Sequence, residues 1–344
     1  MRKCTVILLV CLTLPMAASG GVGDSWDFNG QISFTSGNPN GAWSYGYTTD
    51  PEVGSMVLPY TFGLFANVYT MGGDIQNNTW YGFNATLIPV LFHNYNADVG
   101  AMAGCQVGKT AMHPGYFLPG GGGAPAGNYA CVARWTAPAN EPAVKIQGAF
   151  SPGLTGTVSE FIVVNGGQAD GYVILEVANT NSAQPFEKYI AGIQAGDTID
   201  FVLGQYDALG SDTTMLNAVI TSVASVPLSY YKAQNPNPAD GAVEVAPEAI
   251  LSWFVNDGLA NLTYDIYVQP DPNFDPNASP TETGLPDDSY DVDPDLIMSR
   301  TYSWRVDVNG YIQDPNLPYD PENPYDYPIH VTGDVWTFTT IEAP

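Results

Sequence analysis

Apolar residues in this chain recur at every second position in short runs, and a 3.6-residue repeat is almost absent. In Thr301-Tyr-Ser-Trp-Arg-Val-Asp-Val308, Tyr302, Trp304, Val306 and Val308 fall on one side of an extended backbone. Ser303, Arg305 and Asp307 fall on the other. The run Thr198-Ile-Asp-Phe-Val-Leu203 nearly alternates as well, and Ala195-Gly-Asp197 before it reads as a turn. Similar signals predict strands over 85–92, 144–150, 160–164, 172–177 and 216–222, then over 249–254, 262–268 and 335–339. Only 185–193 reads as a short helix. With 36 Gly and 28 Pro to make turns and 45% hydrophobic residues to build cores, the expected class is all-β. Many short strands at such spacing predict sandwich or jelly-roll architecture, with a jelly-roll-like β-sandwich first.

The N-terminus reads as an export signal. Arg2-Lys3 precedes about ten apolar residues and the small residues Ala17-Ala-Ser-Gly20, which predicts a signal peptide over 1–19. The apolar run is too short to cross a bilayer, so the expectation is a secreted, periplasmic or cell-surface protein with no membrane insertion. Export leaves Cys105 and Cys131, and an oxidising compartment predicts one disulfide between them around a Gly-rich loop. The formal net charge of −26 repels nucleic acid and anionic membranes but suits neutral polymers and cations. Composition shifts near the Pro-rich run Lys232-Ala-Gln-Asn-Pro-Asn-Pro-Ala-Asp-Gly241. Beyond Asp240, Arg300 and Arg305 are the only Lys or Arg. The boundary is placed at 232, giving domains over 20–231 and 232–344, with few contacts expected across the polar run 234–238.

Several segments in the second domain share a family pattern. Asn235-Pro-Asn-Pro-Ala-Asp-Gly-Ala242, Trp253, Tyr264-Asp-Ile-Tyr267, Tyr302-Ser-Trp-Arg-Val-Asp307 and Gly333-Asp-Val-Trp-Thr-Phe-Thr-Thr340 resemble a fibronectin type III-like domain of secreted planctomycete-type bacterial proteins. The resemblance covers about 233–341 and implies a fibronectin type III or immunoglobulin-like β-sandwich after the jelly-roll-like one, serving as an adhesion or spacer module. It also implies a tyrosine corner, because Leu296 stands six residues before Tyr302. The usual Pro-Gly between them is replaced by Ile297-Met-Ser-Arg300, and a long loop is expected over 309–332. In the first domain, Asn38-Pro-Asn-Gly-Ala-Trp-Ser-Tyr-Gly-Tyr47, Met112-His-Pro-Gly115, Arg134-Trp-Thr-Ala-Pro138 and Ala195-Gly-Asp-Thr-Ile-Asp-Phe201 resemble a secreted bacterial β-sandwich domain of unassigned activity.

No catalytic motif stands out. Gly-x-Ser-x-Gly, His-Glu-x-x-His, Cys-x-x-Cys and a phosphate loop are all missing, and His113-Pro-Gly reads as a turn. Glu141, Glu160, Glu176 and Glu187 sit in no nameable pattern. If 43–47 is a strand, Trp43, Tyr45 and Tyr47 share one face, jointly displayed as a sugar-stacking platform or jointly buried as core. Asp271, Asp275, Asp287 and Asp291 crowd loops where Ca²⁺ could find oxygen ligands, the alternative being a solvated acidic surface. The expected function is non-catalytic binding or adhesion, with a polysaccharide or cell-surface glycan as partner. A structural protein without small ligand comes second and a secreted glycan hydrolase third. No feature of the sequence sets an oligomeric state.

Overall fold

The computed structural model describes residues 21–49, 56–69, 79–81, 89–95, 104–117, 127–206, 212–293, 295–312 and 327–343. The chain is all-β, and two sheets face each other in its first half. One runs in spatial order Gln184–Ile193, Glu141–Pro152, Thr214–Val223, Thr110–His113, Val90–His93, Thr79–Tyr81 and Asn67–Tyr69, with Ser25–Asp27 also paired to Thr214–Val223. The other runs Tyr172–Thr180, Val158–Val164, Thr198–Gln205, Gly127–Thr136, Trp43–Thr49 and Gly63–Leu64, with Gly115–Phe117 also paired to Gly127–Thr136. From Gly127 onward most successive strands cross between the sheets, which is a jelly-roll-like exchange.

Alternation decides what fills the space between them. Val144, Ile146 and Phe150 of one sheet meet Trp135, Ile162, Ile199, Phe201 and Leu203 of the other in a single core. Phe201 lies 6.1 Å from Trp43, 6.4 Å from Phe150 and 5.8 Å from Phe186. Each fully buried large side chain contributes roughly 1.5–3 kcal/mol. The helix expected over 185–193 is instead the strand Gln184–Ile193, paired with Glu141–Pro152 from Phe150↔Gln184 to Glu141↔Ile193. Its buried residues, Phe186, Ile190 and Ile193, are spaced like a helix face. Gly192 takes a φ of 65° near the strand end, and the open hydrogen bonds of the neighbouring strand outweigh the helical spacing.

The second sheet is covered on its outer face too. There Val132, Phe161, Val163 and Val202 pack against Tyr60, with Met56, Leu58 and Phe62 of the same covering segment. Val158–Val164 is consequently buried at every position. Asp200 is fully buried on this side, opposite Arg134 in the ladder. Arg134 donates from Nε to Oδ1 and from Nη2 to Oδ2, each at 2.7 Å. The Tyr60 hydroxyl also donates to Asp200, and the guanidinium rests 4.0 Å from the Phe62 ring. Gly166 makes the room: a Cβ there would stand 2.5 Å from the Tyr60 ring.

The second half holds a smaller pair of sheets. Gln234–Asn237, Ile250–Phe254 and Ser289–Asp291 form one. Ala242–Val245, Val335–Thr340, Thr301–Ile312, Leu259–Gln269 and Glu282–Leu285 form the other, with Tyr327–Val331 also paired to Thr301–Ile312. The alternation read in 301–308 holds: Tyr302, Trp304, Val306 and Val308 are all core, and Trp304 meets Trp336 at 4.8 Å. Its polar side is covered as well. Arg305 lies 4.1 Å from the Tyr267 ring, and its Nη2 donates to Asp307 at 2.9 Å. The Tyr302 hydroxyl accepts from the Ile297 amide at 2.8 Å beside buried Leu296, so the corner closes without Pro-Gly. The loop expected over 309–332 is partly strand, and its 313–326 portion lies outside the described residues. So do 85–88 of the strand expected over 85–92, where Val90–His93 is observed.

The joint is packed rather than bare. Gln234–Asn237, read as linker, is a strand paired with Ile250–Phe254. Val226, Tyr231 and Ala233 belong to the core of the second half, together with Ala143 of the first. Tyr189, Ala191, Val223 and Tyr230 pack against the same cluster. The polar run is thus flanked by apolar residues that bury each other. Among the described residues no strand before Val223 pairs with one after Gln234.

Replacing Tyr302 with Phe leaves the Ile297 amide without its acceptor. The expected cost is about 1 kcal/mol, measured as a shift of the urea midpoint at constant slope.

Candidate functional site

Trp43, Tyr45 and Tyr47 share one side of the strand Trp43–Thr49, and that side is core. Trp43 and Tyr45 are 0% exposed. Phe28 lies 5.1 Å from Trp43 and 6.2 Å from Tyr45, while Trp80 lies 6.3 Å from Tyr45. Tyr47 is half-buried, 5.9 Å from Phe65 and 5.8 Å from Tyr129. The strand is paired along both edges, to Gly127–Thr136 and Gly63–Leu64. At Gly46 the other side is closed as well, since a Cβ there would stand 2.2 Å from the Gly63 carbonyl oxygen. The platform expectation is therefore corrected: Trp43 and Tyr45 offer no face to a sugar.

Cys105 and Cys131 are free thiols rather than a disulfide. A sheet lies between them. Cys131 is in the main core and donates to the Val90 carbonyl at 3.2 Å. Cys105 packs with Val90, Phe92 and Ala111 on the far side and donates to the Lys109 carbonyl at 3.3 Å. Burial pushes both thiols up, Cys105 to about 11.

The acidic loops do not converge into one site. Asp271 Oδ1 accepts from the Asn273 amide at 2.8 Å and Asp275 Oδ1 from the Asn277 amide at 2.9 Å, both local turn bonds. Asp291 sits in a strand opposite Ile250. Among the described residues no three His, Cys, Asp or Glu side chains, Asp287 included, come together around a common point.

Glu160 is the unusual acid. It alternates with Val158, Ile162 and Val164 along its strand, on the side that faces the main core. It is 1% exposed, and its Oε2 has no hydrogen-bond partner among the described residues. Burial raises its carboxyl from 4.5 to about 8.

A cleft of about 340 Å³ opens where the two halves meet. Its position follows from the topology. Tyr172–Thr180 and Gln184–Ile193 are edge strands of the two facing sheets, so the sandwich is open along that side. They contribute Tyr172, Lys188 and Tyr189 to the lining, and Asp170 lies just before the first of them. Tyr230, Tyr231 and Asp257 complete the lining. Tyr230 meets Tyr189 edge to face at 5.0 Å and Tyr231 at 5.4 Å. Gly258, at φ +110°, lets the backbone approach the Tyr231 hydroxyl. Burial lifts the hydroxyls of Tyr172, Tyr230 and Tyr231 to about 12, so they stay protonated as donors and acceptors. Among the described residues Asp170, Asp257 and Lys188 make no ion pair.

A second cavity of about 560 Å³ adjoins the first and shares Tyr189 and Tyr230 with it. Glu187, Ser229, Lys232 and Asp334 also line it. Its charges are paired, Lys145 with Glu187 at 2.8 Å and Lys232 with Asp334 at 2.6 Å. Tyrosine faces stack on the C–H faces of sugar rings, and nearby carboxylates, ammonium and hydroxyls can hold sugar hydroxyls. Sequence reading missed this site. Tyr189 lay in the segment read as helix, and the Tyr230-Tyr231 doublet beside the Pro-rich run was the available signal.

Trp43→Ala and Tyr45→Ala are each expected to lose ~3–5 kcal/mol of stability, read by chemical denaturation. A second test concerns Glu160. A carboxyl whose folded-state pKa exceeds its unfolded value binds its proton more tightly when folded. Its contribution is complete below 4.5 and is lost as the pH rises through about 8. Glu160→Gln is expected to remove that loss, and melting temperatures of the two proteins from pH 4 to 9 will measure it.

Among the described residues no helix is long and apolar enough to cross a membrane. No protein-family model and no curated sequence matches the chain. Solved structures similar to it include a β-1,2-glucanase from Parabacteroides distasonis, at 11% identity and TM-score 0.24, covering 88% of this chain and 37% of that one. The adhesin domain of Epf from Streptococcus pyogenes is similar at 8% identity and TM-score 0.30, covering 94% of this chain and 99% of that domain. The glycoside hydrolase domain of Endo-D, from Streptococcus pneumoniae R6, follows at 10% identity and TM-score 0.16, covering 62% and 33%. The chain thus spans about a third of the length of the glucanase and of the Endo-D structure.

Proposed function

We propose that this is an exported, non-catalytic binding protein that takes a saccharide in the cleft between its halves. The observation that carries the reading is the cleft itself: the rings of Tyr172, Tyr189, Tyr230 and Tyr231, beside Asp170, Asp257 and Lys188, which have no ion-pair partner among the described residues. Its volume falls within the roughly 300–1,000 Å³ of small-molecule sites. Residues 1–19 act as the export signal, 20–231 as the binding sandwich and 232–344 as a fibronectin type III-like module. The closed Tyr302 corner supports that last assignment. The module is then more than a spacer, because its Asp257 and Gly258 complete the lining of the site. The net charge of −26 favours neutral glycans over acidic ones.

Asp170 and Asp257 both line the cleft, a pair of carboxylates that makes glycoside hydrolysis the second reading. Residues 20–344 probed on a glycan array, in Ca²⁺ and in chelator, test the binding reading. Dissociation constants of roughly 10–1000 μM are expected, about 4–7 kcal/mol. Tyr189→Ala and Tyr230→Ala are expected to weaken binding about tenfold or more, near 1.4 kcal/mol. Release of reducing ends from the bound glycan would move the assignment to hydrolase, and an array without binding would reject the saccharide reading.

A further inference from the structure

The geometry points to a groove for a chain of sugars rather than a pocket for a single one, an inference that rests on the saccharide reading of the cleft. The two cavities, of about 340 and about 560 Å³, share the Tyr189–Tyr230 pair as an aromatic ridge in their linings. Those rings meet edge to face at 61°, so they do not cover one another by stacking. A ligand confined to either cavity leaves the other half of this aromatic ridge unused. One that crosses the ridge meets both.

The charges of the two cavities differ in a way that assigns them different tasks. In the first, Asp170, Asp257 and Lys188 make no ion pair among the described residues, and hydroxyls of a ligand are the partners that fit them. In the second, Glu187 and Lys232 are already neutralised by Lys145 and Asp334. The first therefore anchors one unit through directed hydrogen bonds, and the second accommodates further neutral units of the same chain. An anionic polymer is disfavoured by the field of the whole molecule.

Both cavities are walled by both halves. Lys188 and Tyr189 line the first together with Asp257, and Glu187 lines the second together with Gln234 and Asp334. A chain lying across the ridge consequently touches each half twice and fastens the joint. Binding to the folded state raises its stability by mass action, so longer ligands stabilise more at equal concentration.

The test uses residues 20–344 and the cello-, chito- and laminari-oligosaccharide series of one to six units, with oligogalacturonate as the anionic control. Calorimetric titration is expected to show affinity in one neutral series rising about tenfold or more from the monomer to the tetramer, then levelling. The melting temperature should follow the same order. Ser229 is exposed in the second cavity, so Ser229→Trp plugs it at little cost to folding. This variant is expected to weaken tetramer binding about tenfold while leaving the monomer unchanged. Equal affinity for monomer and tetramer, or no effect of Ser229→Trp on the tetramer, overturns the groove and leaves a single-sugar site. Absence of binding by all three neutral series overturns the saccharide reading and the groove with it.

Discussion

The seven-stranded sheet of the first half is covered on both faces, and this double burial governs much of the surrounding structure. A strand buried on both sides cannot leave an ionised group unmatched, because desolvation of a lone charge outweighs what packing returns. Asp200 meets that condition through Arg134 and Tyr60. The bonds do more than neutralise. They hold the segment around Tyr60 and Phe62 against the sheet, and that segment covers Phe161, Val163 and Val202. Glu160, on the opposite face, has no such partner for its Oε2 and is held toward its neutral form. Two carboxyls on neighbouring strands therefore take opposite routes to the same requirement.

The second half repeats the solution with different residues. Arg305 and Asp307 sit on the polar side of a strand whose other side is Trp304, Val306 and Val308. Tyr267 and Phe274 lie over the guanidinium. In a chain with nine Lys and Arg, several cations are thus committed to pairs that hold layers together. Lys188 is an exception, and it stands in the cleft. Among the described residues its ammonium makes no ion pair, which leaves a cation in the cleft open to something outside the chain.

The cleft exists because a sandwich of two sheets must have edges. Tyr172–Thr180 and Gln184–Ile193 are the edges on one side, and the second half packs over part of that side against Val226, Tyr230 and Tyr231, which join its core cluster. Covering an edge suppresses unwanted strand pairing. Covering it incompletely leaves a concave, tyrosine-lined space. The joint thus has two consequences, stability from the apolar residues that close it and a candidate site from the polar and aromatic ones that do not.

The sequence by itself determined the class of fold and many of its strands, because period-two alternation in 198–203 and 301–308 reports a local geometry that tertiary contacts need only accept. It also determined that Trp43, Tyr45 and Tyr47 share a face. Which way that face points was decided by tertiary structure, since an aromatic face satisfies a core and a sugar equally well until a second sheet closes over it. The same holds for 185–193, where the helix-like spacing of Phe186, Ile190 and Ile193 gave way to an available strand edge. Cys105 and Cys131 share a protein but not a side of the sheet, and sequence carries no record of sides. The cleft was least legible of all. It joins Asp170, Tyr189, Tyr230 and Asp257 from segments distant along the chain, and only the packing of one half on the open edge of the other brings them together.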